Sequence, residues 1–187
     1  MTPQEFAKQI RAHADVLRKA YADRWPRMMR SEAIDHYRAG FRLGGFTDTS
    51  LEKWDTTRRQ TVPFNGALGK YTPLNSRSGD LMHSIDGRTE EGAVVMFSTS
   101  PHAKYHNEGA DATVTPRMRR YFWAMHAEAK KRHGKDNPET LFWRNMALTR
   151  KSKIRIPKRQ FMGASDELMK RIYNAIENDL KRILNAK

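Results

Sequence analysis

The sequence predicts an α+β protein in which an antiparallel sheet packs against a long N-terminal helix and a C-terminal helix, with a helical insertion. Three observations predict this class: apolar residues at helical spacing before residue 44, a β-branched and aromatic run at residues 93–97, and a second helical stripe after residue 165. Helix, strands, helical insertion, strand and helix in this order are typical of an α+β domain. A chain of 187 residues is long enough for one domain with its own core.

We expect that single domain to span residues 1–187 in four parts. They are an N-terminal helical region (1–43), an extended loop or arm (44–79), the sheet with a helical insertion at about 117–148 (80–163), and a C-terminal helix (164–187).

The N-terminal region opens with a helix start signal. Thr2 suits the N-cap, Pro3 the first helical position, and Glu5 completes a capping box. The apolar stripe that follows consists of Phe6, Ile10, Ala14, Leu17 and Tyr21, and continues to residue 41. Pro26 predicts an interruption or kink, and Gly44 with Gly45 predicts the end of the helix.

Residues 44–79 are rich in Gly, Pro, Thr, Asn and Ser and show no clear period. Long segments of this kind are functional or disordered when alone, so we expect an arm that contacts a neighbouring subunit.

Two runs then predict an antiparallel hairpin. Leu81, His83 and Ile85 alternate with more polar residues, and Ala93–Phe97 has the strongest strand composition in the chain. Further along, Ala112–Thr115 predicts a short strand that stops at Pro116.

The helical insertion and the last helix follow from similar signals. Helices are predicted over 118–131 and from Asn137 to about residue 148, and Ile154–Ile156 predicts a strand that ends at Pro157. Ser165 is a good N-cap for the last helix, and the acidic pair after it suits the helix dipole. The buried stripe of that helix is Leu168, Ile172, Ile176, Leu180, Ile183 and Leu184.

Positive charge is concentrated in one region. The net charge is +14, and residues 111–160 hold 14 Lys and Arg against 4 Asp and Glu. This segment suggests a surface that faces nucleic acid or an acidic protein, and the alternative is a solubilising face. The candidate DNA-facing or partner-facing residues are Arg117, Arg119, Arg120, Arg150, Lys151, Lys153, Arg155, Lys158 and Arg159.

The segment from Arg117 to Trp123 has two interpretations. Its arginines can meet phosphates while its aromatic side chains stack on bases. Alternatively, Phe122 and Met125 belong to the core and the arginines lie at its solvent-exposed edge. Neither a zinc finger nor a helix-turn-helix pattern supports sequence-specific binding.

No catalytic, metal or cofactor site is predicted. The chain has no cysteine, which excludes disulfides and thiolate chemistry. His102 and His106 are four residues apart, but Pro101 and Gly109 make a helix there doubtful, so they are better explained as surface or interface histidines. Phosphate-loop, dinucleotide-binding and nucleophile-elbow motifs are all missing. We therefore expect a protein that is not an enzyme.

No run of about 18 apolar residues predicts a membrane span, and the first residues lack a signal-peptide hydrophobic segment. The expectation is a soluble intracellular protein without cysteine-based redox chemistry.

Four segments, in order, resemble phage virion-morphogenesis (tail-completion) proteins. They are residues 78–85 (Ser-Gly-Asp-Leu-Met-His-Ser-Ile), the Val-rich strand at 93–97, residues 102–109 (His-Ala-Lys-Tyr-His-Asn-Glu-Gly) and residues 156–163 (Ile-Pro-Lys-Arg-Gln-Phe-Met-Gly). The last segment departs from the common Ala-Arg-Pro-Phe-Leu-Gly, and the insertion at 117–148 is longer than in the shortest relatives. The matching positions are Gly79, Leu81, Ser84, Ile85, Tyr105, His106, Gly109, Pro157, Arg159, Phe161 and Gly163.

The resemblance implies a structural protein for tail completion or head–tail joining, without catalysis. It implies subunits that form a ring of identical copies, sixfold if it follows the symmetry of phage tails. The neighbours would be tail-tube, sheath or neck proteins. The location would be the tail top or neck of the virion, assembled in the host bacterial cytoplasm.

A ring around a DNA passage suggests that Lys151, Lys153 and Arg155 face the lumen and touch genomic DNA non-specifically. The alternative function is a basic nucleic-acid-binding accessory protein that uses residues 111–160, and steep salt dependence of binding would indicate it.

Overall fold

The computed structural model describes residues 2–57, 60, 71–76 and 78–185. Its helices there are α1 (Pro3–Lys19), α2 (Trp25–Leu43), α3 (Asp80–His83), α4 (Ala103–Glu108), α5 (Pro116–His133), α6 (Pro138–Ala147) and α7 (Asp166–Asn185). Its strands are β1 (Gly45–Thr47), β2 (Leu51–Lys53), β3 (Ile85–Glu90), β4 (Ala93–Ser98), β5 (Ala110–Thr113) and β6 (Lys153–Ile156). The predicted α+β class, with long helical regions at both ends, is confirmed.

The N-terminal helical region consists of α1, a π-helical segment (Ala20–Arg24) and α2. Thr2 caps α1 as predicted, because its hydroxyl accepts from the Glu5 N–H while the Glu5 carboxylate accepts from the Thr2 N–H. The disturbance predicted at Pro26 takes the form of a wider turn just before it, in which the Trp25 N–H donates to the Ala20 carbonyl. Gly44, in the left-handed conformation, ends α2.

Within the described residues, the strands form three separate antiparallel pairs, β1–β2, β3–β4 and β5–β6. The longest is the hairpin β3–β4, in which Ile85 lies opposite Ser98 and Glu90 opposite Ala93. The prediction of a strand from Leu81 onward was wrong, because α3 occupies residues 80–83 and the strand begins only at Ile85. A short alternation cannot separate one helical turn from a strand.

The segment 44–79 folds against the body over its described part. β1 and β2 pair with each other, the Trp54 Nε1–H donates to the Gln160 carbonyl at 2.7 Å, and the Thr72 hydroxyl donates to the Phe41 carbonyl at 2.5 Å. The pairing of β1 with β2 corrects the prediction of an extended loop or arm for residues 45–53, and the expected contact with a neighbouring subunit stays a prediction. The rest of the predicted arm, residues 58–59, 61–70 and 77, lies outside the described residues.

Residues 110–156 form a unit that we call the insertion module. Strands β5 and β6 pair antiparallel, with Ala110 opposite Ile156, and enclose α5 and α6 in sequence. The two helices pack mainly against each other, and Phe122 stacks on Trp143 at a ring distance of 6.2 Å. The helical insertion expected near 117–148 is therefore present as a helical hairpin on a two-stranded ribbon.

The main core surrounds α2, which contacts β1, β3, β4 and α7. Ser165 caps α7 as predicted, since its hydroxyl accepts from the Leu168 N–H at 3.1 Å. The buried core cluster consists of Ala33, Tyr37, Phe41, Phe46, Ile85, Phe161, Leu168 and Ile172.

Candidate functional site

The connector that follows β6, residues 157–163, is bound to α4 by backbone contacts. The Arg159 N–H donates to the His106 carbonyl at 2.7 Å. The Asn107 side-chain oxygen accepts from the Phe161 N–H at 2.9 Å and from the Met162 N–H at 3.0 Å. We call this set of contacts the joint, because it fixes both ends of the insertion module to the body.

The connector also reaches the core beneath α2. Phe161 is only 2% exposed and makes an edge-to-face contact with Phe41 at a ring distance of 5.3 Å. The Tyr37 hydroxyl donates to the Gly163 carbonyl at 2.8 Å. The apolar end of the connector therefore closes the core, which explains the Phe of the motif as a structural residue.

Gly109 lies where the chain leaves α4 for β5. Its φ of +77° and ψ of 160° belong to a region that is almost restricted to glycine. A Cβ at this position would lie 2.9 Å from the Lys158 backbone nitrogen. Close approach of the connector therefore requires glycine here.

Arg159 is the one candidate cation that the joint buries. Its side chain is 9% exposed, and its guanidinium donates to the Asp55 carbonyl at 3.3 to 3.4 Å. Burial lowers the pKa of Arg159, and the Asp55 carboxylate partly opposes that change. The expectation of a surface cation at Arg159 is therefore wrong, because its guanidinium is used to tie residue 55 to the connector.

His106, predicted as a surface or interface histidine, is half-buried and belongs to the joint within the chain. It lies on α4, whose formation the sequence made doubtful, and its Nδ1 is buried without a partner among the described residues. Burial lowers the pKa of His106, with smaller effects from the nearby charges of Arg159 and His102. His102 itself is exposed.

The first motif segment builds the turn into β3. Gly79 adopts the left-handed conformation ahead of α3. The Ser84 hydroxyl donates to the Leu81 carbonyl at 2.7 Å and lies 2.6 Å from the Ser98 hydroxyl, while Ile85 enters the core. Tyr105 and Pro157, by contrast, are exposed.

The other predicted cations lie on or beside the insertion module. Arg119 is half-buried and donates to the carbonyls of Ala147 and Thr149 at 3.3 and 2.6 Å, so it holds the end of α6 against α5. The rest are exposed, and none forms an ion pair with a described residue: Arg117, Arg120, Arg150, Lys151, Lys153, Arg155 and Lys158. This cationic surface is the part of the site that is free to bind a charged partner.

The aromatic side chains of α5 divide between the two interpretations of this segment. Phe122 is buried, as the structural interpretation requires, while Tyr121 and Trp123 are exposed. Only the exposed pair can offer a stacking surface.

Sequence reasoning missed three residues that hold the connector. Asn107, Tyr37 and Trp54 each form a hydrogen bond with the backbone of the connector. Asn107 lies within the third motif segment and was available as a signal. Tyr37 and Trp54 carry no local pattern that points to residues more than a hundred positions away.

Among the described residues, no group of three or more His, Asp or Glu side chains is arranged to hold a metal ion. The helices in that part of the chain are each too short or too polar to cross a membrane.

Comparison with known proteins gave no match to a family model, a curated protein or a solved structure.

Proposed function

We propose that this chain is a structural phage virion-assembly protein, a ring subunit at the tail top or neck that completes the tail or joins it to the head. The proposal starts from the four sequence segments that resemble tail-completion proteins. The observation that supports it is that three of these segments meet at the joint and in the core next to it, through His106, Phe161 and Ile85. The segments therefore act as one structural unit, from which the insertion module extends.

A subunit of a ring needs surfaces for further copies, and the outer edge of β4 is suited to that role. Only residues 91 and 92 link β3 to β4, so Glu90 and Ala93 form a hydrogen-bonded pair and Val94 and Met96 direct their backbone groups away from β3. These outward groups have no partner among the described residues.

The opposite edge of the hairpin is already covered. The Arg30 Nε–H donates to the Gly87 carbonyl at 2.7 Å, and Arg38 donates to the Ile85 carbonyl at 3.4 Å. β4 carries no charge, and Val95 and Phe97 are 44% and 40% exposed. An open, uncharged and apolar edge pairs readily with a strand of another chain, so we assign it to contact with a second copy.

Helix α1 offers a second contact surface. None of its residues is buried, and Phe6 and Ile10 are each more than half exposed on the stripe predicted from the sequence. An amphipathic helix gains stability by covering that stripe, which a neighbouring subunit would do.

The substitution Val94→Pro tests whether the outer edge of β4 contacts a second copy. Proline removes the outward N–H and leaves the bonds to β3 intact. We expect wild-type protein to exceed the monomer mass of 21.7 kDa in light scattering as concentration rises, and the variant to shift toward monomer. The matched control is Thr89→Pro, which removes an outward N–H from the covered β3 edge and should leave assembly unchanged.

Urea midpoints of both proline variants establish that each is folded. A folded Val94→Pro protein that assembles like the wild type would exclude the β4 edge as a contact. The location is tested separately by immunogold labelling of purified virions, which should mark the tail top or neck. Unlabelled particles would count against the virion assignment.

A further inference from the structure

We infer that the insertion module, together with Lys158 of the connector, binds the phosphate backbone of nucleic acid without sequence preference, through a row formed by Arg150, Lys151, Lys153, Arg155 and Lys158. This inference goes beyond ring assembly and does not depend on it. If the chain does not assemble, the same surface would make it a nucleic-acid-binding accessory protein.

The ribbon places the centre of this row on one face. Side chains alternate along a strand, so Lys153 and Arg155 point to the same side, about 6.6 Å apart, while Ile154 and Ile156 point to the other. Lys153 and Arg155 are exposed, whereas the two isoleucines are half-buried. Lys158 shares a shallow groove with Arg155 at the base of the ribbon and extends the row.

The far end of the row is held against α5. Because Arg119 donates to the Ala147 and Thr149 carbonyls, the backbone leading to Arg150 is fixed beside α5. The exposed Arg117 and Arg120 lie in the first turns of that helix. Hydrogen bonds therefore hold the backbone that carries these cations, which lowers the conformational entropy lost when a ligand binds them.

Two carboxylates, Glu108 and Asp111, line the same groove as Arg155 and Lys158, and neither forms an ion pair with a described residue. Asp111 lies opposite Arg155 on the ribbon, yet no ion pair joins the two. A row of like charges is matched best by a ligand with regularly repeated charge, and duplex DNA carries one negative charge per ~1.7 Å of its axis. An acidic protein surface, with irregular charge, fits this row less well.

The test is fluorescence anisotropy of a labelled DNA of mixed sequence, titrated with the full chain at several salt concentrations. Neutralising Lys151, Lys153 and Arg155 together to Gln should lower the slope of log affinity against log salt by about 2.7, if each meets one phosphate of a duplex. Asp111→Asn should tighten binding several-fold, because it removes the carboxylate that faces Arg155. Duplex and single-stranded probes are compared, since Tyr121 and Trp123 would favour single strands by stacking.

The matched control removes three exposed cations of α1, with Lys8, Arg11 and Lys19 all changed to Gln, and has the same net charge as the test variant. Its affinity and salt slope should stay near those of the wild type. Equal losses in both variants would overturn the site and show an effect of net charge alone. Wild-type binding that is absent, or insensitive to salt, would overturn the inference and leave an acidic protein as the partner. The light-scattering mass of each variant separates lost phosphate binding from lost assembly.

Discussion

Asn107→Ala should destabilise the protein only by removing the two hydrogen bonds that the Asn107 side chain accepts in the joint. The Asn107 side-chain oxygen accepts two backbone bonds, from Phe161 at 2.9 Å and Met162 at 3.0 Å. Loss of the acceptor leaves two partly buried N–H groups without a protein partner, at about 1 to 1.5 kcal/mol each. The free energy of unfolding should therefore fall by about 2 to 3 kcal/mol, which leaves a typical domain folded.

The assay is urea unfolding at one fixed protein concentration, because association makes stability depend on concentration. With a slope of about 2 kcal/mol per molar urea, the midpoint should fall by about 1 to 1.5 M. Asn107→Asp retains the acceptor and should lose less than about 1 kcal/mol, since charge-assisted bonds offset part of the desolvation. Asn145→Ala, at an exposed position of α6, is the control. Equal loss in the Ala and Asp variants would refute the hydrogen-bond reasoning.

Three further predictions concern the joint and the core. Gly109→Ala should cost at least about 2 kcal/mol, from its backbone conformation and the contact with the connector, and an unchanged urea midpoint would contradict it. Trp54→Phe keeps the ring on Phe41 but loses the bond to the Gln160 carbonyl, so a loss of about 1 kcal/mol is expected in the same assay. Burial lowers the pKa of His36 and His106, so the unfolded chain binds more protons than the folded one. The stability that these two histidines contribute is present above the unfolded pKa of about 6.5 and is lost as the pH falls below it. Urea midpoints between pH 7.5 and 5 that stay flat would exclude that coupling.

Local signals were enough to predict the long helices and their ends. Thr2 and Ser165 cap helices as expected, because capping depends on a few adjacent residues. Gly44 ends α2 for the same reason. The strand Ala93–Phe97 was also identified, since its composition is unambiguous over several positions.

The remaining errors share a physical cause, which is dependence on distant partners. β1 and β2 are three residues each, too short to give a period, and exist because they pair with each other beside α2. Arg159 follows a lysine in a basic run, which predicts an exposed cation. It is buried because its guanidinium donates to the Asp55 carbonyl and because Phe161, two residues on, packs in the core. Such contacts between residues far apart in sequence leave no trace in local composition.

Electron-microscope images of the purified protein, with light-scattering mass measured on the same sample across concentration, test the central claim most directly. The account predicts closed rings and a mass that rises to a multiple of the 21.7 kDa monomer, six if the ring follows tail symmetry. Particles without a central hole, together with a monomer mass at every concentration, would contradict it.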